Sequence, residues 1–197
     1  MSVEEFVEYI SNMTPPTADS CNLYAGDDAL SRLRRRILSV YLSEMQCLRP
    51  EVMLVGEAPG VHGCYLTGIP FTAEWNIRNN SFFANRGYGI YSEEPHAEAS
   101  ASVIWSMLEH KHQLPLMWNI YPFHPHLAGK PMTNRTPTKQ EIRCGIDVLM
   151  ALQTVFPGLR MYGVGRKAAD SMTIGYIRHP ARGGSKVCAE MLNAILQ

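Results

Sequence analysis

Val52-Met53-Leu54-Val55-Gly56-Glu57-Ala58-Pro59-Gly60 decides how the chain is read. Four apolar residues run directly into a glycine, an acid and a Pro-Gly pair. An apolar run of that length, closed by turn residues, reads as a strand buried on both faces. Such strands belong in the middle of parallel sheets. Gly56 and Gly60 allow close approach of a ligand, and Pro59 stiffens the turn. Glu57 then lies just past the carboxyl end of a central strand, where open α/β sheets bind ligands. The alternative is an ordinary strand-to-loop turn with a solvated Glu57.

Outward from this strand, the elements alternate. Val3, Phe6, Val7 and Ile10 have helical spacing, and Pro15-Pro16 ends that helix. Asp27-Asp28 opens a second helix to about Gln46, with Leu30, Leu33, Ile37, Leu38 and Tyr41 inward. Arg32, Arg34, Arg35 and Arg36 on it read as a solvated face, or as a patch for nucleic acid. Helical stretches are expected at 72–83 and 96–111, around a loop at 84–95. Leu114 to Ile120 reads as the second strand, with Asn119 at its carboxyl end. Residues 121–137 form a long loop, and loops of that length are often functional. Thr138 and Glu141 make a capping box for the helix that runs to about Phe156. Leu159 to Val164 is the third strand, and Arg166-Lys167 opens a short helix after it. Ile174 to Arg178 is the fourth strand, followed by His179-Pro180, a Gly-rich loop and a last helix at 185–196 with Ser185 as N-cap. The fold class is α/β: a three-layer αβα sandwich around a four-stranded parallel sheet. One domain over 1–197 is expected, with the helices of 1–46 packed on it.

Composition limits the functional classes. The 197 residues carry 18 basic and 18 acidic side chains, so net charge neither demands nor excludes nucleic acid. The distribution is uneven. Residues 1–28 hold acids and no Lys or Arg, whereas Arg160, Arg166, Lys167, Arg178, Arg182 and Lys186 make the carboxyl-terminal part locally basic. A local patch is what backbone phosphates require. No apolar run approaches the ~20 residues of a membrane span, so no membrane partner is expected. A basic-then-apolar leader is not seen at the amino terminus, which makes the cytoplasm the expected location. The five cysteines, Cys21, Cys47, Cys64, Cys144 and Cys188, show no C-x-x-C pairing. They read as free thiols, and His124 and His126 as loop residues; no metal is expected. No phosphate-binding G-x-x-x-x-G-K-[ST] motif is present.

Glu57, Asn119 and His179 converge at strand ends, with Phe71 in the first loop. An acid, a planar amide, an imidazole and a stacking ring suit a heteroaromatic base. The amide matches a donor–acceptor edge and the ring takes the face. The imidazole faces charge developing on a carbonyl oxygen, and the carboxylate supports a cationic sugar or orients water.

This constellation resembles the uracil-DNA glycosylase superfamily. Gly56-Glu57-Ala58-Pro59-Gly60 is similar to the GE(A/G)PG motif of its fourth family, and Gly68-Ile69-Pro70-Phe71 to that family's G-x-P-F. Asn119, then Asn134-Arg135-Thr136-Pro137-Thr138 with Glu141 and Cys144, resembles its N…NR-x-P-T…E…C stretch. His179-Pro180 resembles the H-P of its last motif. The resemblance covers about residues 51–197. It implies a monofunctional DNA glycosylase that flips out a deaminated base, most simply uracil, and hydrolyses its glycosidic bond in base-excision repair. It implies Glu57 and His179 as catalytic and Gly56, Ala58, Phe71 and Asn119 as base-binding. Ala181, Arg182, Gly183, Gly184, Ser185 and Lys186 would meet the DNA, with Arg182 filling the gap and Ser185 and Lys186 holding phosphate. No lysine stands in this pocket set, which implies an abasic product without strand cleavage.

The chain departs from the family at several points. The fourth family's iron–sulfur cysteines are missing apart from Cys144, with Phe123 at one of their positions, so no cluster and no other cofactor is expected. Ala58 stands where uracil-specific members carry a water-orienting Asp. Gly60 stands where they carry a Tyr that excludes thymine, so hypoxanthine or mismatched thymine come into view as substrates. The expected partner is DNA containing uracil or a related base, and the expected state a monomer. The alternative is a slow or inactive lesion- or nucleobase-binding protein with the same pocket.

Overall fold

The computed structural model describes residues 1–109 and 111–196. Helix α1 (Val3–Ser11) is opened by a Ser2/Glu5 capping box and buries Val3, Phe6, Val7 and Ile10. Helix α2 (Ala29–Leu48) starts where the Asp28 carboxylate accepts from the Leu30 and Ser31 amides. Strand β1 (Ser20–Cys21) lies between them. Strand β2 (Val52–Gly56) leads to α3 (Cys64–Thr67), α4 (Glu74–Asn79), a 3-10 turn (Ser81–Phe83) and α5 (Ala99–Leu108). Then come β3 (Leu116–Asn119), β4 (His124–Pro125), α6 (Lys139–Val155), β5 (Arg160–Val164), α7 (Arg166–Met172), β6 (Gly175–Ile177) and α8 (Ser185–Ile195).

The main sheet has four parallel strands in the order β3-β2-β5-β6, flanked by helices, as the alternation of elements implies. Every residue of β2 is buried, which is the lot of a central strand. The register sets Gly56 directly opposite Asn119, and Val164 opposite Ile177. These pairings bring the ends of β2, β3 and β6 to one edge of the molecule.

Helices α1 and α2 belong to the same apolar core as the sheet. The Phe6 ring meets Trp118 of β3 edge-on, with centroids 5.5 Å apart. Strand β3 is an edge strand, and its Met117 amide donates to the Tyr41 hydroxyl of α2 at 2.8 Å. Tyr41 thus satisfies a ladder donor that no neighbouring strand can reach.

Several elements differ from the sequence reading. The helix expected at 72–83 is α4 plus the 3-10 turn, with a break at Asn80. Of the segment expected at 96–111, Ala99–Leu108 is helix, and position 110 lies outside the described residues. Strands β1 and β4 pair antiparallel, and at two residues each they are too short to show a periodicity. The N-cap of α8 is Gly184 rather than Ser185, whose hydroxyl donates to the Pro180 carbonyl at 3.1 Å.

Of the arginines of α2, Arg32 and Arg36 are exposed as a solvated face would be, whereas Arg34 and Arg35 turn to the protein. Arg34 is buried, donates to the Leu23 carbonyl at 3.1 Å and lies 4.5 Å over the Tyr65 ring. Arg35 donates to the carbonyls of Tyr24 and Gly26, each at 2.6 Å. They hold the 22–27 loop, and from that loop the Tyr24 hydroxyl donates to the Gly68 carbonyl at 2.7 Å. The inner face of α2 therefore reaches the loop that carries Phe71. Among the described residues, no helix is long and apolar enough to cross a membrane.

Candidate functional site

A cavity of about 970 Å³ opens at the carboxyl ends of β2, β3, β5 and β6. Glu57, Ala58, Phe71, Asn119, His179, Ala181 and Arg182 line it together, although they span 125 positions of sequence from Glu57 to Arg182. Gly183, Gly184, Ser185 and Lys186 lie outside the lining, in the following loop and the first turn of α8. The Ser185 hydroxyl is spent on Pro180, so it does not present itself for phosphate. Lys186 is exposed.

Gly56, expected to touch the base, is not in the lining and lies behind Asn119 and Phe71. A Cβ at this position would fall 2.4 Å from Asn119 Oδ1 and 2.7 Å from Phe71 Cζ. The amide and the ring therefore rest on bare backbone, which only glycine leaves free. Asn119 is 4% exposed, and its Nδ2 points to Cys64 Sγ at 3.7 Å. Phe71 adopts φ +52°, a left-handed conformation that a bulky residue enters only when its surroundings enforce it. The enforcing contacts are on both sides of it. Thr67 Oγ1 donates to the Thr72 carbonyl at 2.8 Å, Thr72 Oγ1 donates to Pro70, and Trp105 Nε1 donates to Thr72 Oγ1.

His179 is half-buried, and the Ala181 amide donates to its Nδ1 at 3.1 Å. In the neutral ring this places the proton on Nε2. Burial, together with the adjacent Arg178 guanidinium, pushes the imidazole below its ordinary pKa, against the pull of Glu57. The group is thus a neutral N–H donor held in fixed orientation.

The stretch 134–138 wires the walls together. Asn134 Oδ1 accepts from the Val61 amide at 3.1 Å. Arg135 forms a bidentate pair with buried Glu141, both contacts at 2.7 Å, and donates to the carbonyls of His126 and Asp19. Thr136 Oγ1 accepts from Lys167 Nζ at 2.6 Å, and Thr138 caps α6. His124 is fully buried with Nδ1 2.9 Å from the Pro59 carbonyl and Nε2 3.0 Å from Pro131. It clamps two loops. Among the described residues, no three His, Cys, Asp or Glu side chains converge as a metal site.

Of the charged side chains in the lining, Lys167 was read from sequence only as part of a basic stretch, and Glu98 was not singled out at all. Lys167 Nζ lies 3.3 Å from Glu57 Oε1, which corrects the expectation of a lysine-free pocket. Its presence in the helix after Gly165 was legible, but its pairing with a residue 110 positions away was not. Glu98, just before α5, lies against the loop at Gly60 and Gly63. Arg166, Lys167, Arg178 and Arg182 give the mouth a cationic rim. A polar amide, a ring and a neutral imidazole in one cavity, under such a rim, suit a planar heterocycle attached to phosphate.

The family described as the uracil DNA glycosylase superfamily matches residues 43–190. Among solved structures, the chain is similar to the wild-type SMUG2 of Pedobacter heparinus, with a TM-score of 0.69. That alignment covers 99% of this chain and 97% of the other at 14% identity, a level that speaks for the fold alone. No curated protein matches.

Proposed function

Since the chain belongs to the uracil DNA glycosylase superfamily, we propose that it releases a flipped-out deaminated base, uracil in the first instance, from DNA by hydrolysis. The observation that carries this reading is that Asn119 and Phe71, both packed on the Gly56 backbone, line one cavity with His179. The duplex hides the glycosidic bond, so the nucleotide turns out into the cavity. Phe71 stacks on the base and Asn119 reads its edge. The Nε2–H of His179 faces O2, where negative charge develops as the bond to the sugar breaks. Glu57 supports the cationic sugar from the mouth, and the water that attacks C1′ delivers its proton to solvent. The cationic rim takes the flanking phosphates, with Arg182 at the tip of the loop, φ +52°, nearest the vacated stack.

Lys167 does not change the reaction class. Its ammonium is engaged by Glu57 and Thr136, and a Schiff base requires a free, neutral amine. The expected product is therefore an abasic site in an intact strand. The test is incubation with oligonucleotides carrying one U, hypoxanthine or mismatched T, single- and double-stranded, followed by alkali or by borohydride. Cleavage at U only after alkali supports the reading. Borohydride trapping of a covalent complex contradicts the hydrolytic mechanism, and retained lesion binding with every bond intact favours the binding protein.

Gly56→Ala is expected to cut uracil release by about 100-fold, because the methyl displaces both the reading amide and the stacking ring. Circular dichroism and single-turnover rates check it. Unchanged release would remove Gly56 from the account.

A further inference from the structure

Gly60 leaves one wall of the cavity without a side chain, and Glu98 occupies it from another part of the chain. A Cβ on Gly60 would lie 3.9 Å from Glu98 Oε2, which is ordinary contact. A Cβ on Gly63 would lie 1.8 Å from the same oxygen, so the carboxyl fills the space a side chain at 63 would take. Both glycines present bare backbone to one carboxyl.

Glu98 is held there by construction. Buried Glu74 accepts from the Tyr91 and Ser92 amides at 2.8 and 2.9 Å. The Trp75 amide donates to the His96 carbonyl at 2.9 Å. The segment entering α5 is thereby tied to α4, two residues before Glu98. Burial pushes the Glu98 carboxyl above the usual carboxylate range, against the pull of the Ser100 hydroxyl.

The wall has a definite position relative to the base. Asn119 ends β3 and His179 follows β6, at opposite edges of the sheet. Cys64 follows Gly63 directly and touches the Asn119 amide, so the Glu98 wall is on the Asn119 side, away from His179. In a pyrimidine, C5 lies across the ring from C2. A base that turns O2 toward His179 therefore turns C5 toward Glu98.

We propose that Glu98 is the specificity-determining residue of this pocket: its carboxyl, packed on Gly60 and Gly63, meets the C5 edge of the base and rejects a methyl there. This rests on the glycosylase reading. A methyl at C5 would press on a volume already filled and strip solvent from a polar group without replacing its hydrogen bonds. A hydrogen at C5 does neither.

The experiment measures a ratio within each protein, so partial misfolding cancels. Single-turnover release from G·U and G·T duplexes is compared for wild type, Glu98→Ala, Glu98→Gln and Gly63→Ala. In parallel, affinities are measured for the same duplexes carrying 2′-fluoro-substituted U or T, which resist hydrolysis. Removing the carboxyl is expected to shift the U-over-T ratio toward T by about 10-fold or more, the scale of one methyl in a closed pocket. Gly63→Ala, which evicts the carboxyl, is expected to shift it the same way, and isosteric Glu98→Gln to stay within about threefold of wild type. A ratio unmoved in both Glu98→Ala and Gly63→Ala overturns the proposal. If wild type releases no base at all, the glycosylase reading fails, and the affinity ratio still decides whether Glu98 selects the base.

Discussion

Replacing His179 with alanine is expected to slow single-turnover release of uracil by about 10²–10³-fold, the cost of one preorganised donor to a developing oxyanion. Lesion affinity should change far less, because Phe71, Asn119 and the cationic rim remain. The expectation follows from the state of the ring. The Ala181 amide donates to Nδ1, and a proton placed there would oppose that N–H. Burial and Arg178 disfavour the charged ring further and take its pKa below 6.5. The sign is then fixed. The ring is neutral above its depressed pKa, and release should fall only as pH drops through it. Arg178→Met removes one of the depressing charges and should move that acid limb upward. In the same window the unfolded chain takes up the proton first, so stability also declines as pH falls. A release rate that rises on acidification through this range would mean that an imidazolium, not the neutral ring, faces O2.

Glu141→Ala is expected to cost about 3–5 kcal/mol of stability, the range for stripping one partner from a buried ion pair. Glu141 is fully buried and accepts from Arg135, the Thr138 amide and Thr17. Arg135 in turn fixes the His126 and Asp19 carbonyls, so its release frees the 121–137 loop along with the start of β1. The same pair predicts acid sensitivity. These donors lower the Glu141 carboxyl from 4.5 to about 2 despite its burial. A depressed carboxylate contributes stability above its unfolded pKa and loses it as pH falls through the folded one. That amounts to about 3 kcal/mol, present at neutral pH and lost progressively between about pH 4.5 and pH 2. Urea denaturation at pH 7 and pH 3 measures both effects. A Glu141→Ala protein as stable as wild type at pH 7, with the same acid loss, would show that the pair holds nothing.

The residues that sequence made legible are those marked by abrupt changes of chemistry along the chain. Gly56 to Gly60, Asn119 and His179 each end an apolar run with a turn or polar residue, and parallel pairing brings such ends together. Thr138 and Glu141 were readable as a capping box, but the reach of Glu141 to Arg135 and Thr17 was not. What stayed hidden is contact across the chain. Arg34 falls on the apolar face of α2 with Ile37, Leu38 and Tyr41, but its charge reads as solvated until the Leu23 carbonyl and the Tyr65 ring are seen. Glu98 precedes α5 with no local sign of the cavity, and only the space above Gly63 reveals its purpose. Lys167 reads as the opening of a helix until Glu57 is seen beside it. Ser185 is a standard N-cap residue, yet the chain turns one position earlier, where Gly184 passes so close to the His179 carbonyl that a Cβ would stand 2.1 Å from it.

The central claim is that one cavity presents Asn119 and Phe71 to a base whose O2 meets His179. Single-turnover release of uracil from a G·U duplex, followed by mass-spectrometric detection of the free base, tests it for wild type, Asn119→Ala and His179→Ala. The account predicts free uracil from wild type, with both substitutions slowing release by about 10²-fold or more at saturating protein. Release that survives both substitutions at the wild-type rate would place the chemistry elsewhere and contradict the account.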